Sequence, residues 1–285
     1  MRYKVSIITV VLNDKVGFEH TAKSIVEQTA FELVEWIVID AASTDGTVEV
    51  IKQYSSQITY WVSEPDKGIY DGMNKGINNA NGEYLLFLNA GDTLYSRNTI
   101  ENIIKTEAFG KFDYLSGSTI YTNKGKAIGR SHAPRQVTGQ YLFKTSLAHQ
   151  SSFIRTERLK INGGYDINYK IVADTKFFFE DIILRNCSYQ YINEYIANYD
   201  VTGISSTNHH QNFNERERFL QEVLPPRIYK DYYKQVYGET KLERILCKIS
   251  NKGIIYKIIT AIAILLYSPT ALHNRIKMFL KKSQK

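Results

Sequence analysis

The first 92 residues alternate between short apolar runs and segments of helical periodicity, and this alternation constrains the fold more than any other feature. The apolar, often β-branched runs typical of strands buried on both faces are residues 5–12, 34–39, 58–62 and 84–88. The segments with helical spacing are residues 18–28, 48–54 and 71–80. Strands that alternate with helices are joined by right-handed crossovers, so the sequence predicts an α/β fold with a mostly parallel sheet.

Polar side chains follow each predicted strand of this region. They are Asn13, Asp40, Glu64 and the pair Asn89 and Asp92. Each could simply form a turn or cap a helix. In parallel α/β sheets, however, ligands bind beyond the carboxyl ends of the strands, and these ends lie along one edge. Together the polar residues therefore predict a ligand site on that edge.

The alternation of predicted strands and helices becomes less regular from about residue 114. Short strand-like pieces alternate with Gly- and Ser-containing turns, residues 176–184 are a predicted helix, and residues 189–199 are strand-like. Near the end, residues 254–267 are apolar with one lysine. As a helix they would span roughly 21 Å, which is short of the roughly 30 Å of a bilayer core. Two short helices, here and at 271–280, are expected in a membrane interface, or alternatively packed on the protein's own core.

Charge and cysteine content point to a cytoplasmic protein at a membrane surface. The formal charge of +7 is compatible with nucleic acid, an anionic membrane or a phosphorylated substrate. The concentration of positive charge in the apolar C-terminal tail favours a membrane surface over nucleic acid as the partner. Two distant cysteines give no disulfide framework and fit a reducing cytosol. The N-terminal apolar run is too short for a signal sequence and is predicted to be a strand.

Five motifs in order resemble the family 2 glycosyltransferases, which have the GT-A fold. They are VSIITVVLN, VIDAASTDGT, SEPDKGIYDGMNKGINNANGEYLLFLNAGD, HQSSFIR and GGYDINYKIVADTKFF. The chain is most similar to small bacterial enzymes that build exopolysaccharide, capsule or O-antigen. The resemblance covers roughly residues 3–205. It implies a GT-A domain at 1–225, with a nucleotide-sugar half (1–113) and an acceptor half (114–225). A helical, basic, membrane-associating region is expected at 226–285.

The chain also departs from the family pattern. The usual acidic pair after the second strand is Asp40-Ala41 here. The usual Asp-x-Asp metal motif is Asn89-Ala90-Gly91-Asp92, which keeps only its last Asp. The Gln-x-x-Arg-Trp motif of processive synthases is absent, which favours transfer of a single sugar.

The resemblance implies a set of nucleotide-binding residues. They are Thr9, Val10, Asn13, Asp40, Lys67, Asp71, Asn74, Asn89, Ala90 and Gly91. Asp40 would accept a hydrogen bond from the base imide or the ribose, and a carboxylate there favours uracil over cytosine. Gly91 and Ala90 would let the diphosphate approach the backbone. For Asp71 and Asn74 the alternative is that they cap their helix.

The resemblance also implies a divalent cation and a general base. Asp92 would bind Mg²⁺ or Mn²⁺, since Mg²⁺ needs only one or two carboxylates besides phosphate and water; an Asx-type turn is the alternative. His149 could bind the metal, touch the diphosphate or line the acceptor pocket. Asp174 would take the proton of the acceptor hydroxyl, and direct displacement would invert the anomeric centre. Alternatively, Asp174 is an ordinary acidic residue in the first turn of a helix, where the helix dipole favours a negative charge.

The expected function is an inverting glycosyltransferase. Working at the inner face of the cytoplasmic membrane, it would pass one hexosyl or N-acetylhexosaminyl group from a UDP-sugar to a lipid-diphosphate-linked saccharide in surface polysaccharide biosynthesis. A nucleotide-binding dehydrogenase would need a Gly-x-Gly-x-x-Gly turn after the first strand, where this chain has VLNDKVGFE. The remaining alternative is a non-catalytic GT-A-fold protein that binds sugar or nucleotide, because the first Asp of the metal motif is missing.

Overall fold

The computed structural model describes residues 3–123, 125–203 and 208–238. The chain divides into two compact units, Met1–Val223 and Leu224–Lys285. The predicted membrane-associating segments, residues 254–267 and 271–280, lie outside the described residues. Within the described part of the chain, no helix is both long and apolar enough to cross a membrane.

The first 90 residues of the first unit alternate between strands and helices, as predicted. The elements are β1 (Val5–Val11), α1 (Lys15–Val26), a 3₁₀ turn (Phe31–Leu33), β2 (Val34–Asp40), α2 (Thr47–Gln53), β3 (Tyr60–Ser63), α3 (Ile69–Asn79) and β4 (Tyr84–Phe87).

The rest of the first unit mixes short helices with longer strands. The elements are β5 (Thr93–Leu94), α4 (Thr99–Ile104), β6 (Tyr114–Asn123), β7 (Lys126–Ser131), α5 (Gly139–Lys144), a 3₁₀ turn (His149–Ser151), β8 (Ser152–Arg155), α6 (Thr156–Ile161), α7 (Ala173–Phe178), a π-helix (Phe179–Leu184), β9 (Tyr189–Asp200) and α8 (His209–Val223). In the second unit, the described residues form α9 (Pro226–Tyr237).

The strands form one sheet in the order β3-β2-β1-β4-β8-β6-β9-β5, with β7 paired to β6. Strand β1 is parallel to β2 and β4, and β2 is parallel to β3. Strand β8 runs antiparallel between β4 and β6, and β6 is parallel to β9. The predicted α/β fold is confirmed, and the parallel strands β1 to β4 align their carboxyl ends on one edge of the sheet.

A buried carboxylate fixes the register of the first strands. Glu35 on β2 accepts hydrogen bonds from Ser6 Oγ on β1 (2.5 Å) and from the backbone N–H groups of Asn81 (2.6 Å) and Gly82 (3.2 Å) ahead of β4. A buried charge is tolerated only when it is well hydrogen-bonded, so this carboxylate allows little slippage among the three segments. This register determines where the strands end and therefore where the site residues that follow them lie.

Local contacts explain where the predicted elements shift. Helix α1 begins at Lys15, three residues early, because Asp14 accepts the Gly17 N–H as an N-cap. Strand β3 begins at Tyr60 because the Ile58 N–H still bonds the carbonyl of Tyr54 at the end of α2. The predicted helix at 176–184 begins at Ala173 and becomes a π-helix from Phe179.

Candidate active site

A large cavity, about 1990 Å³, opens at the carboxyl ends of the parallel strands. It is lined by residues from both halves of the first unit, including the 3₁₀ turn before β8, the start of α7, the end of β9 and the start of α8. The predicted site residues that line it are Val10, Lys67, Asp71, Asn89, Ala90, Gly91, Asp92, His149 and Asp174. The fold thus brings together residues that are separated by up to 164 positions in the sequence.

Four predicted residues, Thr9, Asn13, Asp40 and Asn74, are not among the residues that line this cavity. The buried Thr9 hydroxyl accepts a hydrogen bond from the Trp36 indole at 3.1 Å. Asn74 uses both ends of its amide on the backbone of Tyr165, at 2.8 Å each. These contacts give Thr9 and Asn74 structural roles, and their contact with a nucleotide stays a prediction.

Asp40, at the end of β2, keeps one carboxylate oxygen without a partner. Its side chain is fully buried. Oδ2 accepts hydrogen bonds from the Ser43 N–H (3.0 Å) and the Ser63 hydroxyl (2.6 Å), whereas Oδ1 has no hydrogen-bond partner among the described residues. A buried acceptor left unpaired costs about 1–3 kcal/mol. Such an atom could accept an N–H or O–H donor, and because Asp40 does not line the cavity its contact with a nucleotide stays a prediction.

The loops after β1 and β2 are tied together beside Asp40. The Asn13 side chain accepts the Thr44 N–H at 2.8 Å, and the Asn13 N–H donates to Ser43 Oγ at 2.7 Å. Asn13 and Ala42 both have positive φ angles, +50° and +61°. This conformation is unfavourable for alanine, and such backbone strain concentrates at functional sites.

Asp92 is held in place by the backbone and by Thr21. Its side chain is buried, and Oδ1 accepts the Asp200 N–H at 2.9 Å. The Thr21 hydroxyl donates to the Asp92 carbonyl (2.7 Å) and accepts the Gly91 N–H (3.1 Å). Gly91 has a φ of +92°, which favours glycine. Burial raises the pKa of Asp92 to about 7, although the Asp200 N–H and the charge of His149 act in the opposite direction.

The residues around Asp92 fit a divalent cation that takes most of its ligands from a substrate. Among the described residues, no group of three or more His, Cys, Asp or Glu side chains is arranged to hold a metal ion. The Asp92 carboxylate and Asn89, whose buried Oδ1 has no partner within the described ranges, are hard oxygen donors on one loop. Mg²⁺ typically combines one or two such ligands with phosphate and water.

His149 and Asp174 form a hydrogen-bonded pair. His149 Nδ1 lies 2.9 Å from Asp174 Oδ2. The other carboxylate oxygen, Oδ1, accepts the Thr175 N–H at 2.7 Å and the Tyr70 hydroxyl at 3.0 Å. On its other side, His149 Nε2 lies 3.5 Å from the amide nitrogen of Asn89. The pair therefore links the start of α7 to the loop that carries Asp92.

The pair favours its charged form. Burial raises the pKa of Asp174, but the hydrogen bond and charge of His149, with the Thr175 N–H and the Tyr70 hydroxyl, bring it below its usual value. Burial lowers the pKa of His149, but the hydrogen bond and charge of Asp174 and the charge of Asp92 bring it above its usual value. Asp174 is consequently an ionised carboxylate at neutral pH.

Three contributors to the site, Thr21, Tyr70 and Asp200, were not predicted. Asp200 could have been found by the rule that identified Asp40 and Asp92, because it ends β9 at its carboxyl end. Tyr70 lies inside the motif PDKGIYDG, yet only the fold shows that its hydroxyl reaches Asp174. Thr21 lies on α1, and nothing in its sequence context points to residues 70 positions away.

Comparison with known proteins gives the family. The model of "Glycosyl transferase family 2" matches residues 6–124. An uncharacterised glycosyltransferase of Mycobacterium tuberculosis is 31% identical over 203 residues, which is 71% of this chain and 77% of that protein.

Several solved structures have a similar fold. Residues 1–349 of TarS from S. aureus in complex with UDP-GlcNAc give a TM-score of 0.64 at 17% identity, covering 87% of this chain and 73% of that one. A longer TarS chain is matched over 44% of its length. The mannosyltransferase PcManGT from Pyrobaculum calidifontis, in complex with GDP-Man and Mn²⁺, gives a TM-score of 0.62 at 17% identity. The match covers 98% of this chain and 85% of that one. On the family match and the similarity to the mycobacterial relative, the chain belongs to glycosyltransferase family 2.

Proposed function

We propose that this protein is an inverting glycosyltransferase that moves one sugar from a UDP-sugar to a saccharide acceptor. The observation that carries the proposal is that one cavity is lined both by the Asp92 loop and by an ionised, hydrogen-bonded carboxylate, Asp174. The first suits a diphosphate leaving group and the second suits an acceptor hydroxyl.

Asp40 supports a uracil-type base. Its buried Oδ1, without a partner among the described residues, can accept the ring N–H of uracil, whereas cytosine has a lone pair at that position. Guanine also has a ring N–H, so GDP-sugars are the appropriate competitors. The fold neighbour TarS is described in complex with UDP and with UDP-GlcNAc, and PcManGT with GDP-Man. We favour UDP as the nucleotide and a hexosyl or N-acetylhexosaminyl group as the transferred sugar.

Asp92 and Asn89 would hold Mg²⁺ or Mn²⁺ together with the donor diphosphate. The bound cation would neutralise the negative charge that develops on the departing nucleotide. His149 was also predicted as a metal ligand. Its Nδ1 is committed to Asp174, so only Nε2 could serve, and we assign His149 to the support of Asp174 instead.

The chemistry assigned to Asp174 is proton transfer from the acceptor. As the acceptor oxygen forms its bond to the anomeric carbon, the bond from that carbon to the phosphate oxygen breaks and UDP departs. The acceptor proton passes to the Asp174 carboxylate, which His149 keeps ionised and oriented. Attack from the face opposite the leaving group inverts the anomeric centre.

We further propose that the acceptor is a lipid-diphosphate-linked saccharide and that residues 226–285 act at the cytoplasmic face of the membrane. The support is compositional, since apolar runs and basic residues alternate near the end of the chain. The full chain should float with vesicles that contain phosphatidylglycerol and not with pure phosphatidylcholine vesicles. Equal flotation, or none, would remove the membrane assignment without affecting the enzymatic one.

A screen of nucleotide sugars tests the enzymatic proposal. UDP-, GDP- and CDP-sugars are incubated with the full chain and Mn²⁺, and release of the nucleotide is measured with water as the sugar acceptor. We expect release from a UDP-sugar, and a loss of about 10²–10⁴-fold in Asp174→Asn with little change in UDP affinity. Binding of UDP-sugars without turnover under any condition would favour the non-catalytic alternative.

A further inference from the structure

We propose that Glu215 and Arg216, neighbours on α8, are positioning residues that hold the His149–Asp174 pair together. The proposal rests on the catalytic role assigned to Asp174 in the proposed function. The two residues of the pair lie on different loops, 25 positions apart in sequence. Each loop is bound by one of the two α8 residues.

Glu215 holds the loop that leads into α7. Its carboxylate accepts the backbone N–H groups of three successive residues, Lys170 (3.1 Å), Ile171 (2.9 Å) and Val172 (3.3 Å). The side chain of Gln211, one turn earlier on α8, donates to the same carboxylate at 2.9 Å. Charge-assisted bonds to several amides are stronger than neutral ones. Val172 is the residue that precedes α7, so this contact fixes where α7, and with it Asp174, begins.

Arg216 holds the loop that leads to His149. Its Nη1 donates to the carbonyl groups of Leu142 and Thr145, at 2.9 Å each, where α5 ends. His149 follows Thr145 by four residues. A hydrogen bond of 2.8 Å from the Thr175 hydroxyl to Ser146 Oγ also links the segment that carries Asp174 to the loop that leads to His149.

Both anchors are buried and bind backbone groups of the two loops. Glu215 and Arg216 are each only 8% exposed. The pair itself needs a carboxylate and an imidazole to meet at 2.9 Å, and small displacements of reacting groups cost large factors in rate. If Glu215 and Arg216 served only to stabilise the fold, there would be no reason for these neighbours to bind the two loops that carry Asp174 and His149.

Glu215→Gln is the informative variant, since it keeps the shape and removes half of the acceptor capacity. Unlike Arg216, Glu215 is not among the residues that line the cavity, so its loss removes no substrate contact. Glu222→Gln is the matched control, because it makes the same change on the same helix, where Glu222 accepts the side-chain hydroxyl of Tyr169 rather than the backbone N–H groups of residues 170–172. Glu215→Asp keeps the charge and tests for partial rescue.

Three measurements are made on the full chain. The first is nucleotide release from the UDP-sugar with Mn²⁺. The second is the affinity for UDP with Mn²⁺. The third is the downfield proton resonance of His149 Nδ1–H, identified by its loss in His149→Asn. For Glu215→Gln we expect kcat to fall by about 10- to 100-fold, UDP affinity to stay within about twofold, and the resonance to shift or broaden. Glu222→Gln should match the wild type, and Glu215→Asp should lie in between.

The outcomes separate this proposal from the proposed function. An unchanged resonance, or an unchanged kcat, in Glu215→Gln overturns the positioning role. A matching loss in Glu222→Gln also overturns it, because the effect would then be general to α8. If the wild type releases no nucleotide from any sugar donor, the proposed function fails, while the resonance still decides whether Glu215 positions the pair.

Discussion

His149 Nδ1 and Asp174 Oδ2 lie 2.9 Å apart and join the turn before β8 to the first turn of α7. The bond leaves Nε2 as the ring nitrogen on the side of Asn89. It also sets the charge state of the carboxylate, because His149 is one of the groups that lower the pKa of Asp174. These contacts support our proposal that the histidine assists Asp174 rather than binding the metal.

Replacing His149 tests this assignment. In His149→Asn, Asp174 loses its charged partner, so we expect UDP-sugar turnover to fall by about 100-fold while UDP affinity is retained. Turnover and UDP titration are measured on the same preparation. The control is His210→Asn, which alters an exposed histidine whose ring contacts Asn214. If His149→Asn instead abolished Mn²⁺ binding and left turnover at saturating Mn²⁺ intact, the histidine would be a metal ligand.

Asp92 should determine the cation dependence. With UDP present, Asp92→Asn is expected to bind Mn²⁺ at least about tenfold more weakly, because the hard carboxylate of the site is lost. Since burial raises the pKa of Asp92 to about 7, a cation that binds this carboxylate near neutral pH would displace a proton. Mn²⁺ affinity of the wild type should thus rise between about pH 6 and pH 8, measured by calorimetry in buffers of different ionisation enthalpy. Wild-type affinity for Mn²⁺ in Asp92→Asn would place the ion elsewhere.

Asp40 should discriminate between pyrimidines. A buried carboxylate oxygen gains from the uracil N–H and is left unpaired by cytosine, a difference of about 1–3 kcal/mol. The wild type is expected to bind UDP about 10- to 100-fold more tightly than CDP. In Asp40→Asn the two affinities should approach each other. Ser63→Ala, which removes a neighbour bonded to Oδ2 only, is the control and should keep the preference for UDP.

The parts of this site that follow strand ends could be predicted from the sequence. Asp40 and Asp92 stand after predicted strands, and the carboxyl ends of parallel strands meet on one edge. Asn74 could not be resolved in this way. A polar residue on a helix reads equally well as a cap or a ligand contact, and its actual partner, the backbone of Tyr165, is 91 positions away.

The residues that hold the site loops in place could not be predicted either, because their partners are also distant in sequence. Glu215 lies in a segment of alternating charges, typical of an exposed helix, yet it is buried against the amides of residues 170–172. Its role depends on how α8 packs on a loop more than 40 residues earlier. Periodicity reports which residues share a helix face, and it carries no information on which distant backbone groups that face will meet.

Tyr165 provides a test of what a buried hydroxyl without a hydrogen-bond partner costs beside the site. Its hydroxyl is buried without a hydrogen-bond partner among the described residues, while its ring packs against Tyr70, Phe87 and Phe177 at 5.3–5.6 Å. Tyr165→Phe removes an unsatisfied polar group, so we expect a gain of about 1 kcal/mol in unfolding free energy by urea denaturation. Tyr84→Phe, whose hydroxyl donates to the Phe112 carbonyl at 2.5 Å, should lose a similar amount. Equal losses in both would contradict the assignment.

Asp181 should make stability depend on pH in the acid range. This fully buried carboxylate receives hydrogen bonds from Arg158 (2.6 and 3.1 Å) and from the Tyr114 hydroxyl (2.5 Å). Burial raises the pKa of Asp181, but the bonds from Arg158 and Tyr114 more than offset this and hold it below its usual value. A carboxylate with a lowered folded pKa stabilises the fold above its unfolded pKa of about 3.9, and this contribution is lost as pH falls through the folded value.

The matching variant is Asp181→Asn, which leaves Arg158 without its carboxylate partner. At pH 7 we expect it to be less stable than the wild type by about 3 kcal/mol. The difference should persist to about pH 4.5 and shrink as pH falls below about 4, because the carboxyl of the unfolded chain then becomes protonated before that of the folded chain. Urea denaturation across this range measures it, with the exposed Glu49→Gln as the control. A difference that stayed constant down to pH 3 would show that the charge of Asp181 does not contribute to stability.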